Sequence, residues 1–79
     1  MASIYKTDTK AIKKMMIEKE IDTIIELSEK TGISRNTLSK VLSGESQPSS
    51  EVMDKLVSVL GIEPEKAGAI FFSLNLRTM

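Results

Sequence analysis

The sequence has no cysteine and no histidine. Without cysteine there is neither a disulfide framework nor a thiolate metal site. Without histidine the chain loses the commonest general base and the commonest metal ligand. A His-dependent triad, a zinc centre and a Cys nucleophile are all excluded, and the scattered carboxylates imply no pocket. The expectation is a protein that is not an enzyme and binds neither metal nor cofactor. No apolar run approaches the roughly 20 residues needed to cross a bilayer. The N-terminal MASIYK lacks the apolar core of a signal peptide, so the chain is expected in the cytoplasm.

Net charge is the other absence: eleven Lys and Arg balance eleven Asp and Glu. The distribution is uneven, however. Residues 1–16 carry four Lys against Asp8, and residues 33–44 carry Arg35 and Lys40 with no acid. Between them, residues 17–32 set Glu18, Glu20, Asp22, Glu26 and Glu29 against Lys19 and Lys30. Seventy-nine residues make one small domain, burying about 60% of the unfolded chain's surface.

The apolar positions describe a series of short helices. Ala11, Ile12, Met15 and Met16 recur at helical spacing, and the KEID stretch ends that pattern. Thr23 opens a T-x-x-E box with Glu26, in which the hydroxyl accepts from the amide three residues on. Ile24, Leu27 and Ser28 follow on one face. Gly32 permits the positive φ of a tight helix exit. Ser34 caps a further helix with Leu38, Val41 and Leu42 inward, ended by Gly44, and ESQPSS is a loop by composition. Ser49 or Ser50 starts a fourth helix bearing Val52, Met53, Leu56, Val59 and Leu60, closed by Gly61. Pro64 suits the first turn of a fifth, running to about Phe72.

Residues 23–44 therefore read as a helix-turn-helix. Two helices that cross closely need a small residue at the contact, and Ser28 fills that place. The second helix then protrudes enough to enter a DNA major groove about 12 Å wide. Its outward residues, Arg35, Asn36, Ser39 and Lys40, are candidates for base contact, since Arg pairs bidentately with guanine and Asn with adenine. Thr23, Thr37 and Ser43 are candidate phosphate contacts.

The run ELSEKTGISRNTLSKVLSGESQPS resembles the core of the lambda-repressor-like, Cro/CI-type helix-turn-helix family. The corresponding signature is carried by Leu27-Ser28, Gly32, Ile33-Ser34, the helix from Arg35 to Leu42, Gly44 and Pro48-Ser49. The resemblance implies an all-α, compact five-helix domain, here spanning residues 1–79 with a short apolar C-terminal tail at 73–79. Two positions depart from the family pattern. Ile24 stands where a phosphate-binding Gln is usual, and Glu45 where Lys or Arg often follows the glycine; both weaken a grip on DNA. Within the family the chain is similar to the modulators of repression (antirepressors) of lactococcal temperate phages. That likeness implies a phage regulator of the lysis–lysogeny switch, in a bacterial host cell, which binds the CI-type repressor in a heterocomplex and alters its operator binding. Weak binding to double-stranded DNA would be a second activity.

Two readings thus stand side by side, with an antitoxin of similar fold as a third. One is an autonomous Cro-like repressor reading an operator through Arg35–Leu42. The other, preferred here, is an antirepressor whose acidic surface, Glu18, Glu20, Asp22, Glu26 and Glu29 with Ile24 or Ile25, meets the basic face of the repressor. The apolar end, AGAIFFSLNLRTM, places Ile70 and Phe71 on the core. Beyond them Phe72, Leu74 and Leu76 alternate with polar residues, as in a half-buried strand. A lone strand has no partner in a five-helix domain, so these three are candidates for self-association into a homodimer. Continuation of the last helix is one alternative, and a tail that folds back on its own core is another.

Overall fold

The computed structural model describes residues 5–74, with Leu74 described by its backbone. Five helices are present: α1 (Thr9–Glu18), α2 (Ile24–Thr31), α3 (Arg35–Leu42), α4 (Ser50–Leu60) and α5 (Pro64–Phe71). Two short strands, β1 (Tyr5–Lys6) and β2 (Ser73–Leu74), flank them. Each of the first four helices starts on a side-chain cap. Asp8, Thr23, Ser34 and Ser49 accept from the amides of Ala11, Glu26, Thr37 and Val52. α5 has no side-chain cap and begins with Pro64, whose missing N–H is one of the donors a helix start leaves unpaired. The core joins Ile12 and Met16 of α1, Leu27 of α2, Leu38 and Leu42 of α3, Leu56 and Leu60 of α4, and Ile70 and Phe71 of α5.

Three further core residues lie outside the helices, and one local motif puts them there. The chain takes a left-handed conformation at Glu20, Gly32 and Gly61, with φ of 59°, 75° and 65°. The residue after each is an isoleucine: Ile21, Ile33 and Ile62, 2%, 6% and 4% exposed. At two of the exits the amide after the left-handed residue reaches back five positions, Ile21 to Met16 at 2.8 Å and Ile62 to Val57 at 3.1 Å. Such a closure satisfies a helix-end carbonyl and folds an apolar side chain onto the last turn. A fourth exit, at Gly44 (φ 81°), has the same bond, Glu45 to Lys40 at 2.9 Å. There the following residue is a glutamate, and it is exposed. The turn after α3 is built like the others but turned toward solvent.

The tail corrects the sequence reading. Ser73–Leu74 does have a partner inside the domain: it pairs antiparallel with Tyr5–Lys6, Tyr5 opposite Leu74 and Lys6 opposite Ser73. The end of α5 explains why the chain turns into a strand rather than continuing the helix. Its last four carbonyls, which no intrahelical amide can reach, all have partners. Gly68 O accepts from the Phe72 amide at 2.9 Å and Ile70 O from the Asp8 amide at 2.6 Å. Ala69 O accepts from Ser73 Oγ at 2.5 Å, and Phe71 O from Gln47 Nε2. Gln47 also accepts from Thr7 Oγ1 at 3.2 Å. One loop side chain therefore ties the segment after α3 to both ends of the domain.

Candidate nucleic-acid interface

The turn between α2 and α3 is held by two hydroxyls of α2. Ser28 Oγ donates to Ile33 O at 2.5 Å, and Thr31 Oγ1 accepts from the Ile33 amide at 3.2 Å. Thr31 in turn donates to Leu27 O at 2.7 Å. The backbone of Ile33 is thus gripped on both sides one residue before the Ser34 cap, which sets where α3 begins. The small size of Ser28 was legible in the sequence. Its bond to Ile33, and the whole role of Thr31, were not, because a threonine near a helix end carries no signal that distinguishes this use.

From that start α3 divides cleanly. Leu38, Val41 and Leu42 are buried, while Arg35, Asn36, Ser39 and Lys40 are exposed on the other side, as the helical period predicts. Among the described residues the one ion pair joins Lys55 and Glu51 on α4, so Arg35 and Lys40 carry unneutralised charge. The hydroxyl candidates are less free. Thr23 Oγ1 accepts from the Glu26 amide at 3.1 Å. Thr37 Oγ1 accepts from Ser34 Oγ at 2.9 Å, which leaves its own proton to donate. Ser43 is exposed and donates to Lys40 O at 3.1 Å.

The two departures from the family pattern have different surroundings. Ile24 is half-buried and packs against the core, so of the two isoleucines at the start of α2 only Ile25, 51% exposed, faces outward. Glu45 lies on the solvent-facing turn after α3. Of the acidic group, Glu18, Glu20, Asp22 and Glu29 are exposed and Glu26 is half-buried. Ile17, not singled out from the sequence, is 71% exposed beside Glu18. An open groove of about 430 Å³ runs between α1 and α3. Met16, Ile17, Ile21, Ile24 and Leu42 line it together with Lys13, Asp22, Ser39 and Ser43.

Phe72, by contrast, is half exposed and stands edge-on to Tyr5, with ring centroids 6.2 Å apart and planes at 87°. Phe72 is the turn residue between α5 and β2, next to the chain's own terminal sheet. The side chain of Leu74, and Leu76 altogether, lie outside the described residues. Among the described residues no helix is long and apolar enough to cross a membrane.

A family model described as the Cro/C1-type HTH DNA-binding domain matches residues 11–66, from the first turn of α1 into α5. Neither the curated proteins nor the solved structures contain a match.

Proposed function

Because the chain belongs to the Cro/C1-type HTH DNA-binding domain family, we propose that it is a transcription regulator that lays α3 in the major groove of double-stranded DNA. The outward face of α3 carries this reading: four polar side chains, two of them unneutralised cations, project from a helix whose other side is buried in the core. Arg35 and Asn36 lie in the first turn, where a recognition helix meets base edges. Each bidentate pair contributes about 1–3 kcal/mol of discrimination. Ser39 and Lys40 extend the contact by one turn, and Thr23 and Thr37 donate to phosphates, as does Ser43 once its hydroxyl turns away from Lys40 O. Residues 1–79 act as one domain, and two copies, joined through Phe72, Leu74 and Leu76, would read half-sites about one helical turn apart.

A second reading rests on a separate observation, the exposure of Ile17 and Ile25 (71% and 51%) among Glu18, Glu20, Asp22 and Glu29. Exposed apolar side chains in a stretch rich in carboxylates fit a partner surface that is basic and partly apolar, and we take the DNA-reading face of a CI-type repressor as that surface. On this reading the protein is a phage antirepressor that alters the repressor's operator binding in the lysis–lysogeny switch.

The test is a salt-titrated mobility shift on the promoter region, with and without the repressor. Steep, salt-dependent binding by this protein alone, lost in Arg35→Ala and Asn36→Ala, is the outcome expected for the autonomous reader. No shift alone, but an altered repressor band that charge reversal at Glu29 abolishes, would favour the antirepressor and sink the first reading.

A further inference from the structure

The first helix carries a basic face that neither the motif nor the core accounts for. Lys10, Lys13 and Lys14 are exposed on α1, while Ile12 and Met16 of the same helix are buried. Of these lysines, Lys13 is placed by the groove between α1 and α3, whose lining it shares with Ser39 and Ser43 of α3. Lys13 therefore stands alongside the second half of the recognition helix, on the flank that Ser39 and Ser43 share. Among the described residues no carboxylate forms an ion pair with it. Asp22 lines the same groove and partly offsets its field.

A helix seated in the major groove is bordered on both sides by sugar-phosphate backbone, because the groove is only about 12 Å wide. An element packed beside that helix and carrying an unneutralised cation is positioned to meet phosphate. We propose that Lys13 is a backbone-phosphate contact for duplex DNA bound on α3, acting with Ser43 on one wall of the interface. The inference rests on the reading that α3 enters the major groove. It also answers how a chain of zero net charge, with Ile24 and Glu45 at two usual phosphate positions, can hold DNA: the cation comes from α1. Lys13 binds without reading sequence, so its contribution is uniform across duplexes.

The experiment is a fluorescence-anisotropy titration across a salt series, using a short labelled duplex recovered by in vitro selection and a scrambled duplex. The proteins compared are wild type, Lys13→Gln, Lys13→Arg and Lys66→Gln, the last being an exposed lysine on α5. One lost phosphate contact lowers the slope of log K against log salt by about 0.9. The affinity ratio of wild type to Lys13→Gln should therefore be about 3.5-fold larger at about 50 mM salt than at about 200 mM. The preference for selected over scrambled duplex should not change. Lys13→Arg should keep the wild-type slope, which ties the effect to charge rather than to packing, and so should Lys66→Gln. Equal slopes for wild type and Lys13→Gln, with wild-type binding intact, would overturn the inference while leaving α3 as the reader. Failure of wild type to bind either duplex would overturn the α3 reading itself and Lys13 with it.

Discussion

Ser28 is where the helix-turn-helix can be tested most directly. Its hydroxyl donates to Ile33 O at 2.5 Å in a half-buried setting, and its small size lets α2 and α3 cross. Two substitutions separate these contributions. Ser28→Ala keeps the size and removes the bond, so a net loss of about 0.5–1.5 kcal/mol is expected. Water can reach part of this site, which favours the middle of that range. For a domain of this length 1 kcal/mol lowers Tm by about 4–8 °C. Ser28→Val removes the same bond and adds a branched side chain at the crossing, where overpacking costs a further 1–3 kcal/mol or so. The combined loss, about 2–4 kcal/mol, is a large share of the roughly 4–12 kcal/mol expected for 79 residues. Far-UV circular dichroism followed through heat and urea gives both numbers, and DNA binding is then compared at a temperature where each variant is folded. The Val variant should bind DNA more weakly even when folded, because a displaced α3 misplaces Arg35 and Asn36, while the Ala variant should bind nearly as wild type. Equal stability of Ser28→Ala and wild type would refute the role of the hydroxyl. A Val variant no worse than the Ala variant would refute the tight crossing.

Other perturbations test the long-range ties and the turns. Gln47→Ala removes both the bond to Phe71 O and the acceptor for Thr7. At about 0.5–1.5 kcal/mol for each of the two bonds it should cost about 1–3 kcal/mol, with amide hydrogen exchange rising first at residues 5–8 and 73–74 and the α2–α3 unit still protected; a uniform rise would refute the local tie. Gly32→Ala meets no neighbour within 4 Å, so in the folded state it costs only the strain of a left-handed φ, about 1–2 kcal/mol, less what the stiffer unfolded chain returns, read by denaturant titration. Glu20, already left-handed at φ 59°, should respond oppositely. Glu20→Gly relieves that strain and should raise Tm by a few degrees at most, because the freer unfolded chain offsets part of the gain.

The two open readings of function make different demands on one small surface. The α3 reading needs cations and donors along Arg35–Leu42 and its flanks; the antirepressor reading needs the acidic and apolar residues from Ile17 to Glu29. The groove between α1 and α3 touches both sets, with Lys13, Ser39 and Ser43 on one account and Ile17 and Asp22 on the other. A bound partner over Ile17 would therefore crowd Lys13, and the two activities would compete rather than add. Competition between labelled duplex and repressor for this protein is the measurement that reads it.

Much of the fold is legible in the sequence because it is decided within a few residues. Thr23, Ser34 and Ser49 cap helices through amides three positions on, Pro64 opens α5, and Gly32 and Gly61 close their turns; these are local contacts that residue type alone specifies. The outward set on α3 follows from helical period once Leu38, Val41 and Leu42 are assigned to the core. Tertiary structure decided the rest. The alternation of Phe72, Leu74 and Leu76 with polar residues announces a strand that needs a partner but not that Tyr5–Lys6 supplies it to Ser73–Leu74, since pairing between chain ends depends on where five helices bring them. Ile21, Ile33 and Ile62 lie outside any helical period, and only the left-handed exits show that they fold onto the core. Gln47 looks like any loop residue until Phe71 O and Thr7 are brought beside it. Lys13 looks like one solvated lysine among several until α1 packs along α3, because proximity between helices is a property of the packed core and not of either helix's own sequence.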